Sequence, residues 1–198
     1  GGCGFIGSNL VKMINSKFPD SYVMNVDKLT YAGNLLNIKE ILDAGNHEFR
    51  RVDISDKKNL RRCFSDFRPH FVLNLAAETH VDRSIKDSSP FYNSNILGTL
   101  NLLDLSLEFE VERYLQVSTD EVYGSLGQYG SFTEESPIDP SSPYSATKAA
   151  ADFLVNSYHK TFNLDTIITR CSNNYGPLQF PEKLVPLMVL NALERKEL

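Results

Sequence analysis

The chain has 198 residues, 41% hydrophobic and 23% charged, which is enough to bury one ordinary core. Its formal net charge of −5, with no basic stripe, argues against a nucleic-acid binder, and no apolar run approaches the roughly 18 residues of a membrane span. Three distant cysteines (Cys3, Cys63, Cys171) read as free thiols in a reducing, cytoplasmic setting, and four scattered histidines (His47, His70, His80, His159) offer no metal-ligand spacing.

The sequence opens inside a glycine turn, Gly1-Gly2-Cys3-Gly4-Phe5-Ile6-Gly7, with no strand ahead of it. A fragment is therefore expected, lacking a first strand at one end and a C-terminal substrate domain at the other. Ile6, Leu10, Met13 and Ile14 recur at helical spacing, so the turn feeds a helix that Pro19-Asp20 ends. Tyr22 to Val26 reads as a buried strand with Asp27 at its end, followed by a loop and a short helix around Leu35 to Leu42. Phe49 to Val52 is a second strand closing at Asp53-Ile54, and Ser55 is placed to cap the next helix. Phe71 to Leu75 is a third strand, and the segment around His80 and Asp82 reads as loop.

A long helix is expected from about Pro90 to Phe109, with proline where a helix start tolerates it. Arg113 to Val117 is a fourth strand ending at Ser118-Thr119. Ser125 to Pro143 is the longest loop, Tyr144 to Phe162 a helix, Thr166 to Thr169 a fifth strand, and Pro181 to Arg195 a last helix. Short apolar strands alternating with helices imply a doubly wound parallel α/β sheet of Rossmann type, read as one partial dinucleotide-binding domain over 1–198.

Gly1, Gly4 and Gly7 open a helix, where backbone N–H groups can approach a pyrophosphate. Asp27 lies twenty residues on, at a strand end; a carboxylate there accepts ribose hydroxyls and repels a 2′-phosphate, which favours NAD over NADP. Tyr144 and Lys148 form YxxxK, one turn apart on one helix face. An ammonium beside the phenol is expected to lower its pKa from ~10 and make it a base. The pair follows a strand ending in Ser118-Thr119, whose hydroxyl can hold a substrate oxygen, and Asp120-Glu121 supplies two carboxylates beside it.

Glycine turn, Asp27, Thr119 and YxxxK stand in the order of an extended short-chain dehydrogenase/reductase acting on nucleotide sugars. The segments GGCGFIGSN, DKLTYAGN, NLAAETHVDRSI, VSTDEVYG, PYSATKAAAD and RCSNNYGPLQFPEKLVP span nearly the whole chain and resemble the dTDP-glucose 4,6-dehydratase branch of that family. The resemblance implies a lyase that holds NAD, oxidises C4 of a nucleoside-diphosphate glucose, eliminates water across C5–C6 and returns hydride to C6; dTDP-glucose is the first candidate and UDP-glucose the other. Tyr144, helped by Lys148 and Thr119, would take the 4-hydroxyl proton. Glu121 would take the C5 proton, and protonated Asp120 would give one to the departing C6 hydroxyl.

It further implies NAD contacts from Phe5, Ile6, Asp27, Lys28, Leu29, Thr30, Asp53, Ile54, Leu75, Ala76, Ala77, Ser94 and Asn174, beside the glycines, Tyr144 and Lys148. Thr79, Thr119, Asn173, Lys183 and Leu184 would touch the sugar nucleotide. Asn95 and Gly98 are read as packing or network residues in the long helix. A homodimer through the helices around Pro90 and Tyr144 is a family expectation. The competing readings are a 4-epimerase or decarboxylase of the same family, against which Asp120 argues, and an inactive NAD-binding fragment.

Overall fold

Each predicted strand and nearly every predicted helix forms, and all strand pairs are parallel. The computed structural model describes residues 1–197, which gather into two compact units. The first takes Gly1–Arg51 together with the segment from Asn173; the second is Val52–Ser172.

In the first unit, α1 (Phe5–Lys17) starts directly from the glycine turn, with Gly4 as its N-cap. β1 (Val23–Asp27) pairs in parallel with β2 (His47–Arg51), and a 3₁₀ helix (Leu35–Ile41) joins them. Their core is Cys3, Val11, Ile38 and Ile41, packed by Val23, Leu29 and Phe49. β2 begins two residues before Phe49 and ends at Arg51, so Asp53 lies in a turn rather than in the strand. The final helix, α7, is shorter than expected: it runs Leu184–Leu193, because Lys183 is already the extended N-cap and Glu194 the C-cap.

Gly7 has a steric reason to be glycine. A Cβ there would stand 2.0 Å from the Gly1 carbonyl oxygen, backbone that has nowhere to retreat. Gly7→Ala should therefore cost about 1–3 kcal/mol. Thermal unfolding measured without any added dinucleotide checks this, and an unchanged midpoint would refute it.

In the second unit, β4 (Arg113–Thr119) is central, flanked by β3 (Phe71–Asn74) and β5 (Thr166–Cys171). Tyr114, Gln116 and Ser118 alternate as its buried positions. Helix α2 (Lys57–Phe67) is capped not by Ser55 but by Asp56, whose carboxylate accepts from Asn59 N at 3.1 Å. Ser55 instead donates from both N and Oγ to Asp53 Oδ1, each at 2.8 Å. The segment read as loop around His80 and Asp82 contains a helix, α3 (Val81–Lys86), with Asp82 in its first turn and Arg83 and Lys86 in its last.

The long helix is continuous but not uniform: α4 (Ser89–Phe91), a π segment (Tyr92–Leu97) and α5 (Gly98–Glu108) follow one another. The Thr99 hydroxyl donates to the Asn95 carbonyl at 2.8 Å, a side-chain bond inside the ladder of the kind that accompanies such bulges. Gly98 sits where a Cβ would lie 2.4 Å from Ile54 Cδ1, so glycine there reflects close packing, as read from the sequence. Helix α6 (Pro143–Phe162) follows Ser142, which forms a capping box with Ser145. No helix of the described residues is long and apolar enough to cross a membrane.

Candidate active site

The cofactor and sugar residues named from the sequence divide between the two units, and each unit has its own geometry. In the first, Asp27 is the last residue of β1 and is buried. Its Oδ2 accepts from Cys3 N at 2.9 Å and its Oδ1 from Leu29 N at 2.8 Å. The carboxylate thus ties the glycine turn to the loop after β1, while each oxygen keeps a further lone pair.

The Asp27–Leu29 bond closes a tight turn that puts Leu29 at φ 58°. Lys28, Leu29 and Thr30 are half-buried along it. The first turn of α1 has no side-chain cap, and a Cβ on Gly4 would meet nothing closer than 3.6 Å. Nothing inside the fold requires glycine at Gly4, so its bareness leaves the helix N-terminus open to a ligand. Cys3 is fully buried and packs inward, with its thiol pushed up to about 11 by burial and then by the Asp27 charge.

Asn173 and Asn174 are exposed in the segment before α7, where Gln179 Nε2 donates to the Asn174 carbonyl at 3.0 Å. Lys183 caps α7, and Leu184 begins it largely exposed.

In the second unit, Thr119, Asp120, Glu121 and Tyr144 come together. Thr119 ends β4 and caps a 3₁₀ turn (Asp120–Tyr123): its Oγ1 accepts from Glu121 N at 3.2 Å and donates toward Asp120 Oδ1 at 3.4 Å. A strand-end threonine therefore touches the Asp120 carboxylate and holds the backbone of Glu121. Tyr144, in the first turn of α6, is fixed by the Ser142 capping box and by Ser84 Oγ, which accepts from Tyr144 N at 3.2 Å. Its ring packs edge-on to Phe91, centroids 6.4 Å apart.

The Tyr144 phenol lies well above its ordinary range: burial pushes it up, the Glu121 charge adds to this, and a hydrogen bond with Thr119 pulls it back. The expectation that Lys148 lowers this phenol is not met in the ligand-free chain. Burial and then the Glu121 charge dominate at the hydroxyl, and the Lys148 ammonium donates to the Val117 carbonyl at 2.6 Å. Lys148 is itself buried, and burial brings it down to about 8 against the opposing pull of Asp152 and then Cys171.

Ile54 and Ser94 are buried and Asp53 half-buried, while Leu75, Ala76 and Ala77 continue from the C-terminal end of β3 and Thr79 is exposed after them. Strand C-termini are where open α/β sheets bind ligands. The sequence reading missed Ser84 and Asp152. Asn95, read as a packing or network residue, accepts from Glu78 N at 2.9 Å and donates to Thr147 Oγ1 at 2.9 Å, bracing the loop after β3 against α6. Asp152 pairs with Arg170 Nε at 2.9 Å. The 144, 148, 152 spacing was the available signal for Asp152; nothing local marks Ser84. Among the described residues no His/Cys/Asp/Glu group is arranged to hold a metal ion.

The family model described as GDP-mannose 4,6 dehydratase matches residues 1–198. The whole chain is 49% identical to the probable dTDP-glucose 4,6-dehydratase of Sinorhizobium fredii and 51% identical to the dTDP-glucose 4,6-dehydratase of Neisseria meningitidis, covering 59% and 58% of those proteins. The crystal structure of dTDP-glucose 4,6-dehydratase from Bacillus anthracis in complex with NAD matches with a TM-score of 0.92 at 48% identity, over 100% of this chain and 61% of that one. UDP-glucose 4-epimerase from Thermus thermophilus, also a complex with NAD, matches with a TM-score of 0.89 at 32% identity, over 100% and 62%. The chain thus spans about three-fifths of the length of these relatives.

Proposed function

Because the chain belongs to the GDP-mannose 4,6 dehydratase family, we propose that its protein removes water from a nucleoside-diphosphate glucose, dTDP-glucose first, to give the 4-keto-6-deoxy sugar. The observation that carries this reading is the Asp120-Glu121 pair acting on the Tyr144 phenol from a turn capped by Thr119. An epimerase shares the fold, so the fold alone does not choose the reaction. Two carboxylates beside one phenol provide the separate acid and base that a dehydration requires. The 49% and 51% identities to dehydratases, against 32% to the epimerase, favour the same choice.

The residues of the first unit fit a bound NAD. The uncapped α1 N-terminus with open Gly4 suits a pyrophosphate, supported by Phe5 and Ile6 in its first turn, and Asp27 keeps lone pairs for ribose hydroxyls. When bound, NAD supplies the hydride chemistry and ends unchanged. Tyr144 takes the proton of the sugar 4-hydroxyl while Thr119 Oγ1 holds that oxygen. Lys148 adds positive charge that favours the phenolate. Once C4 is a ketone, the C5 proton is acidified and Glu121 removes it. Asp120 gives a proton to the departing C6 hydroxyl, and a proton returns to C5.

Asn173, Lys183 and Leu184, with Thr79, are proposed to meet the sugar nucleotide. Asp53, Ile54, Leu75 to Ala77, Ser94 and Asn174 are proposed to meet the cofactor. The whole protein is proposed to be a homodimer, to which exposed Tyr92, Leu97 and Phe153 would offer apolar surface. Incubating the full-length protein with dTDP-glucose and UDP-glucose in parallel tests the reading. A product absorbing in alkali supports dehydration and names the donor; a 4-epimer and no such absorbance would overturn it.

A further inference from the structure

We infer that Asp152 is a positioning residue for this reaction. Buried beside Lys148 and ion-paired to Arg170, it keeps the lysine an ammonium and ties the helix bearing Tyr144 and Lys148 to the turn bearing Asp120 and Glu121. The inference rests on the reading above.

Asp152 is 0% exposed and follows Lys148 by one turn on the same face of α6. Its Oδ2 accepts from Arg170 Nε at 2.9 Å. Arg170 lies on β5 in register with Ser118 of β4. Its other arm donates to the Tyr123 hydroxyl at 2.8 Å, with the guanidinium carbon 5.1 Å from that ring's centroid. Tyr123 closes the turn that starts with Asp120 and Glu121. A chain of polar contacts therefore runs from α6 through β5 to the catalytic turn.

The electrostatics explain why an ion pair stands there. A buried pair is often no more stabilising than apolar residues of the same volume, so stability alone is weak reason for one in this core. The groups that act on Lys148 are Asp152 on its own helix, Cys171 from β5 and the Val117 carbonyl from β4. Burial works against the ammonium, and Asp152 is the carboxylate that opposes it.

Burial raises Asp152 in turn, and the Arg170 hydrogen bond, the Ser118 hydroxyl and the charges of Arg170 and Lys148 bring it back toward ionisation. Its Oδ1 takes no part in the Arg170 bond, and the carboxylate charge reaches Lys148 as well as Arg170. Arg170 remains charged at every working pH, so the carboxylate sits between a permanent cation and a titrating one.

The test uses full-length protein as wild type, Asp152→Asn, and the double variant Asp152→Asn/Arg170→Met. The double variant leaves no uncompensated charge and guards against a folding failure of the single one. Rates of product formation are followed from about pH 6 to about pH 10. In the wild type, activity falls as pH rises and Lys148 loses its proton. Without Asp152 the ammonium is less favoured, so this alkaline limb should move down by about one pH unit or more, with a much smaller change on the acid side.

A curve lowered uniformly at all pH values, or failure of both variants to fold, would mark the pair as structural and overturn the inference. A wild type that forms no 4-keto-6-deoxy product would instead remove the functional reading itself.

Discussion

Glu121→Gln should lower formation of the 4-keto-6-deoxy sugar by about 10²–10⁴-fold, the usual worth of a positioned general base, while reduced cofactor still appears on mixing with substrate. An amide has nearly the same shape as the carboxylate but cannot take a proton from C5. The backbone of the turn should not move, because Glu121 is held through its own N–H on Thr119 Oγ1 at 3.2 Å, which the substitution leaves intact. Removing the charge also relieves the Tyr144 phenol, which Glu121 now pushes upward. Oxidation at C4 should therefore survive. Stopped-flow absorbance of the reduced nicotinamide, set beside product absorbance in alkali, separates the two steps. Equal loss of both, or of neither, would remove Glu121 from the C5 step.

Tyr144→Phe should have the opposite signature. The initial appearance of reduced cofactor should fall by about 10²–10⁴-fold, and everything downstream with it. The ring is retained, so its edge-on packing on Phe91 persists, and the backbone bond to Ser84 is untouched. What disappears is the hydroxyl and its bond with Thr119. The variant should accordingly unfold close to the wild-type midpoint. A near-normal rate of cofactor reduction would exclude the phenol as the base.

The burial of that phenol also bears on how the reaction starts. Among carboxylates and away from water, Tyr144 holds its proton firmly in the ligand-free chain. Positive charge must be brought to bear before it can act. Lys148, near 8 and one turn away, is the group on this helix that can supply it, which is why the state of Asp152 matters.

Much of the architecture was legible because it is local. The glycine turn entering α1, the strand ending at Asp27 and the one-turn spacing of Tyr144 and Lys148 follow from steric freedom, hydrophobic period and helical pitch, and each appears as read. Errors cluster where short polar residues compete for backbone groups. Asp56 rather than Ser55 caps α2 because Ser55 is occupied by Asp53. α3 went unread because six residues are too few to show a hydrophobic period, and only the structure reveals the charges placed along it.

Order along the chain therefore determined the α/β class and the family, and singled out the residues proposed to carry the chemistry, since these depend on near neighbours and on motif spacing. Tertiary structure alone decided the rest: that Ser84, sixty residues away, holds the Tyr144 backbone, that Asn95 braces Thr147, that Arg170 reaches both Asp152 and Tyr123, and that the phenol is pushed up rather than down. The physical reason is that proton affinity and hydrogen-bond partnership depend on burial and on charges brought close by folding. No window of sequence contains both members of such a pair.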